Sequence, residues 1–213
     1  MSNRYGYSGS VGHTQAIKSN SGVFSPNEII DLDLDNVWFN AGQLELIQTQ
    51  TISGATARIN FQSLGDYDVH FMTANDMHNE SDNRRIGVQF FESGVLEEGT
   101  VYDVASQFGN AAGTFIEVQG SGYGSLRWGD NFGSNTNETM NGYMYFYNLK
   151  DSTKYSFVTH QATTQSNSNV SCFEFGSGVM KQASLVDGIS IEIDSGHNFL
   201  SGTLSLYGIK EYS

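Results

Sequence analysis

The first chemistry to consider is that of two carboxylates set two residues apart. In "SIEIDSGH" Glu192 and Asp194 occupy alternate positions. On a strand, alternate side chains share a face, so the pair has the placement that general acid and nucleophile work requires. The same stretch also has a reading without chemistry. Ile189, Ile191 and Ile193 alternate with Ser190, Glu192 and Asp194, which is the pattern of a strand with one buried and one polar face. The histidines His13, His70, His78, His160 and His197 show no two- or four-residue spacing, so no metal-binding pair is visible on a strand or a helix. Asp31, Asp33 and Asp35 alternate like the oxygens of a calcium loop. Leu32 and Leu34 fill the positions between them, however, and the turn glycine and distal glutamate are missing. Cys172 is the single cysteine, which excludes an internal disulfide and a thiolate cluster. No metal and no cofactor is expected.

A second cluster has the chemistry of sugar recognition. "GYGSLRWGDNFGSN" supplies Tyr123, Arg127, Trp128, Asp130 and Asn131 within a glycine-rich run. Exposed aromatic rings stack on sugar faces, and Asp and Asn fix hydroxyls. The competing reading makes Trp128 a core or subunit-interface residue. No nucleophile elbow, phosphate loop or nucleotide fingerprint occurs, so the glycines are read as turn residues.

The bulk properties narrow the function classes. The chain has 213 residues with 23 acidic and 10 basic side chains, a net charge of -13. Such a chain repels phosphate backbones, so nucleic acid is not an expected partner. No apolar run approaches the roughly 20 residues of a membrane helix. The first residues, "MSNRYGYSGSVGHTQ", lack the apolar region of a signal peptide.

The elements that must position these side chains are strands. From about Thr51 the apolar period is two. "ATARINF" places Ala57, Ile59 and Phe61 together, and "GDYDVHFMT" places Tyr67, Val69 and Phe71 on one face with Asp68 and His70 on the other. The two read as a hairpin around "SLGD". "RRIGVQFFES" aligns Ile86, Val88 and Phe90, and six further segments follow, ending in "GTLSLYGIK". In that last segment Leu204 and Leu206 face the core, Thr203, Ser205 and Tyr207 face out, and the strand closes a sheet. In "NGYMYFYNL", Tyr143, Tyr145 and Tyr147 alternate with Met144 and Phe146, so both faces of the strand call for burial. Polar Asn-, Ser- and Gly-rich linkers separate the strands, and no helical period intervenes.

The expected fold is therefore all-β: an antiparallel β-sandwich, jelly-roll-like, over residues 51–213, preceded by an extended N-terminal arm over residues 1–50. The arm lacks its own core. Its apolar residues Phe24, Ile29, Ile30, Trp38 and Phe39 are candidates for docking on another surface.

Two resemblances bear on function. "SIEIDSGH" resembles part of the Glu-x-Asp-x-x-Glu strand of laminarinase-type jelly-roll glucanases, with Glu192 at the nucleophile position and Asp194 at its helper. His197 stands where the family has its acid/base, so the proton donor is absent and no enzyme is expected. The closing segment "FLSGTLSLYGIKEYS", Phe199 to Ser213, resembles the close of many small tailed-phage virion proteins, and "GVFSPNEIIDL…VW", Gly22 to Trp38, is similar to their lead-in. That resemblance implies a non-enzymatic structural protein located in the virion, a short appendage, tail-fibre or capsid-decoration subunit. It further implies a homotrimer, docked through its arm on other virion proteins, with the sandwich displayed for attachment to host surface glycans. The alternative is a lectin-like carbohydrate-binding module using Tyr123, Trp128, Asp130 and Asn131.

Overall fold

The computed structural model describes residues 44–210. The docking-arm candidates Phe24, Ile29, Ile30, Trp38 and Phe39, the aspartates Asp31, Asp33 and Asp35, and His13 lie outside them. The described chain is a β-sandwich whose strand pairs are all antiparallel.

In chain order the strands are β1 (Leu44–Ile52), β2 (Arg58–Gln62), β3 (Val69–Asn79), β4 (Arg84–Glu92), β5 (Val95–Leu96), β6 (Tyr102–Asn110) and β7 (Phe115–Tyr123). β8 (Leu126–Phe132), β9 (Met140–Tyr147), β10 (Tyr155–Gln165), β11 (Ser171–Ala183), β12 (Val186–Ile193) and β13 (Phe199–Ile209) follow, with a short 3-10 turn at Asp194–Gly196. One sheet has eight strands in the order β1-β13-β3-β9-β10-β11-β6-β7. The other has the order β2-β12-β4-β5, with β8 also paired to β4.

The strand period brings Ile59, Phe61, Ile86, Val88, Phe90, Trp128, Met144, Phe146, Ile189, Ile191, Leu204 and Leu206 into one core between the sheets. Full burial of such side chains stabilises by about 1.5–3 kcal/mol each before conformational entropy is counted. Phe90 packs edge-on against Phe146 across the two sheets, with ring centroids 6.1 Å apart.

Four features differ from the sequence reading. The sandwich already includes Leu44–Ile52, ahead of the expected boundary at 51, because this segment forms a ladder with β13. β13 does not close the sheet: it lies inside it, between β1 and β3, and among the described strands β1 and β7 are the edges. β2 and β3 form no hairpin, since β2 pairs with β12 in one sheet and β3 with β13 and β9 in the other. The alternation in β3 is as expected but its faces are exchanged: His70, Met72 and Ala74 are buried, while Val69 and Phe71 face outward. His70 is tolerated inside because its Nε2–H donates to the Leu64 carbonyl at 2.9 Å. Burial holds its pKa below the ordinary histidine value, which keeps the ring neutral.

Candidate functional site: the outer face of the eight-stranded sheet

The outward positions of the large sheet fall into register across its strands. Leu44, Ile209, Val69, Tyr147, Phe157 and Val179 are successive cross-strand partners on β1, β13, β3, β9, β10 and β11. Two residues along, Leu46, Tyr207, Phe71 and Tyr145 form a second row. Cross-strand neighbours on one face touch, and here they make a continuous aromatic surface. Phe71 lies 4.7 Å from Tyr145 and 6.1 Å from Tyr207 between ring centroids, and Tyr145 stacks on Tyr147 at 6.4 Å.

The surface is open to solvent at its ends. Leu44 is 50% exposed, Leu46 57% and Phe157 44%. From β1 to β11 neither row carries a charged side chain, in a chain of net charge -13. Contiguous exposed apolar surface is uncommon on monomers and is a feature that interaction faces share.

A polar group lies on the opposite side of the same strands, inside the sandwich. Glu174 of β11 is 1% exposed. It accepts from Arg127 Nε at 3.2 Å and from the Ser106 hydroxyl at 2.7 Å. Arg127 also pairs with Asp130. Burial foremost pushes the Glu174 carboxyl up, against the pull of Arg127. His160, on the neighbouring strand, is buried beside this group, and burial followed by the charge of Arg127 brings it down to about 4. The Nδ1 of His160 and the Oε2 of Glu174 have no partner among the described residues.

The predicted sugar-binding quartet does not converge on a surface. Trp128 is fully buried and its indole N–H points to the Gln161 carbonyl at 3.4 Å, so it offers no face to a sugar. Asp130 is engaged by Arg127. Asn131 turns its amide toward the Cys172 sulfur at 4.0 Å. Only Tyr123, at the end of the edge strand β7, is exposed. Cys172 is a buried free thiol that burial pushes up, which disfavours the reactive thiolate.

Glu192 and Asp194 are each tied to a different cation. Glu192 accepts from Arg58 Nη2 at 2.6 Å, and the same guanidinium lies 3.6 Å from Glu98. Asp194 accepts the Arg85 backbone N–H at 3.2 Å. His197 faces Glu80 at 3.5 Å. Among the described residues, no group of three or more His, Cys, Asp or Glu side chains is arranged to hold a metal ion.

The outer belt was only partly visible in the sequence. The tyrosines of β9 signalled a second apolar face, but Phe71, Tyr207 and Phe157 join them only through the register. Comparison with family models, with curated proteins and with solved structures finds no match to this chain.

Proposed function

We propose that this chain is a non-catalytic structural subunit that assembles with copies of itself through the outer face of its eight-stranded sheet. Its setting in this reading is a virion appendage. The observation that carries the assembly reading is the uncharged double row from Leu44 to Val179 and from Leu46 to Tyr145. A chain with an excess of acidic groups tends to repel its own copies, and these two rows bring apolar side chains and no carboxylate to the contact. Burying the face against another copy removes its rings from water at about 25 cal/mol per Å². The virion setting rests on the resemblance of the closing segment Phe199–Ser213 to the ends of small tailed-phage structural proteins.

Size-exclusion chromatography with light scattering tests the assembly. The expected mass is a small multiple of 23.4 kDa, three-fold if the virion resemblance extends to oligomeric state. Phe157→Ser with Tyr147→Ser is expected to shift it toward the monomer. A wild-type chain that stays monomeric at tens of micromolar would overturn the reading. Antibody labelling of intact particles, with no decoration seen, would remove the virion setting alone.

A further inference from the structure

The far end of the same sheet face differs in chemistry from the apolar rows. Between Phe71 on β3 and Phe173 on β11 runs an open trough of about 540 Å³. Phe71 of the second apolar row borders it, its aromatic walls beyond that row are Tyr143 and Phe173, and its polar groups include Asn75, Asn141 and Gln161. Thr73 and Thr163 add hydroxyls, and among the described residues no charged side chain lines it. We infer that this trough binds a short neutral oligosaccharide.

Three observations carry this beyond an exposed apolar groove. First, the amides are held in place. The Tyr143 hydroxyl donates to Gln161 Oε1 at 2.8 Å, which leaves the Gln161 amide nitrogen to donate outward. Asn141 Oδ1 accepts the Asp76 backbone N–H at 2.8 Å, which leaves the Asn141 amide nitrogen in the same role. Orienting a side chain before its ligand arrives lowers the entropy lost on binding.

Second, the hydrogen-bonding capacity is mixed and neutral. The side chains of Thr73 and Asn75 have no partner among the described residues, and each both donates and accepts. A sugar hydroxyl also does both. A phosphate, a sulfate or an acidic glycan needs a cation and a basic ligand needs a carboxylate, and among the described residues the trough has neither.

Third, the dimensions fit a chain of rings. From β3 through β9 and β10 to β11 are three inter-strand steps, about 14 Å, room for about three pyranose units. Between its aromatic and amide side chains the sheet runs on through the Gly142–Ala162 pair. The aromatic rings supply stacking surfaces and the amides bond the ring edges, the combination that orients a ligand in a mostly apolar cleft.

The test is affinity electrophoresis of the full chain in native gels containing, in turn, soluble β-glucan, galactomannan, dextran or hyaluronate. A chain of net charge -13 migrates well without ligand. At least one neutral polysaccharide is expected to retard it. Tyr143→Ala and Gln161→Ala are each expected to weaken retardation by tenfold or more, while Leu185→Ala, at an exposed site outside the trough, leaves it unchanged. Both trough side chains are exposed, so the fold tolerates their loss, and an unchanged circular dichroism spectrum verifies it. Unaltered mobility in all three neutral gels would overturn the inference. So would retardation by hyaluronate alone, or retardation indifferent to Tyr143 and Gln161. A Tyr143→Ala variant that changes the oligomeric mass without changing retardation would mean that another copy covers the trough, and also overturns it. Because the assembly reading is judged by mass and this one by mobility, the two fail separately.

Discussion

Arg127 reaches from β8 to Glu174 on β11 with Nε 3.2 Å from the carboxylate, inside the sandwich, while the ring of Phe175, the next residue, is 50% exposed. Charge is inside and the aromatic ring outside, the reverse of what each prefers alone. Removing one partner of a buried ion pair strands the other, at about 3–5 kcal/mol. Arg127→Leu is therefore expected to destabilise by that order, and the pair Arg127→Leu with Glu174→Leu by clearly less than the sum of the two single changes. A double-mutant cycle in urea reads the coupling. Additive losses would mean that the two side chains do not support each other.

The same region makes stability depend on pH. An unfolded histidine titrates near 6.5, whereas burial and then Arg127 bring His160 down to about 4. As pH falls, the unfolded chain takes up this proton first. His160 therefore contributes its stability in full above about pH 6.5 and loses it progressively between about 6.5 and 4, a total of about 3 kcal/mol. Glu174, whose carboxyl is pushed up by burial, works in the opposite sense and offsets part of the loss. Urea midpoints at pH 7.5 and 4.5 are expected to differ less in His160→Gln than in the wild type. An equal difference in both would assign the pH dependence elsewhere.

Gly202 marks a break in the β13–β3 register. Its φ is +131, and a Cβ there would stand 2.7 Å from the Met77 sulfur and 2.9 Å from the Met77 Cα. Gly202→Ala is expected to cost about 2–4 kcal/mol, from backbone strain and overpacking together. Gly196, with φ +76 but open space around it, gives the comparison: Gly196→Ala is expected to cost about 1 kcal/mol. Chemical denaturation of the two variants separates strain from crowding.

The edge strand β1 is expected to stabilise the sandwich measurably. Ile47 packs on the core, and the Thr49 and Ser205 hydroxyls bond at 3.0 Å. A chain beginning at residue 51 is expected to melt about 5–10 °C below one beginning at residue 44, on the scale of about 2–4 °C per kcal/mol. Equal melting temperatures would show that β1 adds nothing to the fold.

The strand content of this protein was legible because period two is a local property. Ile86, Val88 and Phe90 could be placed inside from their own segment alone. Which of two apolar faces turns inward was not legible, because that choice belongs to partners distant in sequence. Tyr67, Val69 and Phe71 outrank His70 in hydrophobicity, yet His70 is buried because Met72 and Ala74 share its face and Leu64 supplies an acceptor. Trp128 reads as a sugar platform in the company of Asp130 and Asn131, but its register with Ile86 on β4 puts it in the core. The trough is not legible in the sequence for a related reason: Asn75, Asn141, Gln161 and Phe173 sit on four strands, and nothing in their spacing links them before the strands pair.

The position of β13 has a consequence for biosynthesis. A ribosome delivers β1 and β3 well before the strand that joins them, and Thr49 and its partner Ser205 are 156 residues apart. At common rates of translation this interval is about 10–30 s. During it, β1 has no sheet to join and β3 keeps an open edge, a condition that invites mispairing with neighbouring nascent chains. A copy whose translation stops short of residue 199 has no strand to link Leu44 and Leu46 to Val69 and Phe71. Only completed copies can present the joined belt, so in the proposed assembly the belt also screens out unfinished chains.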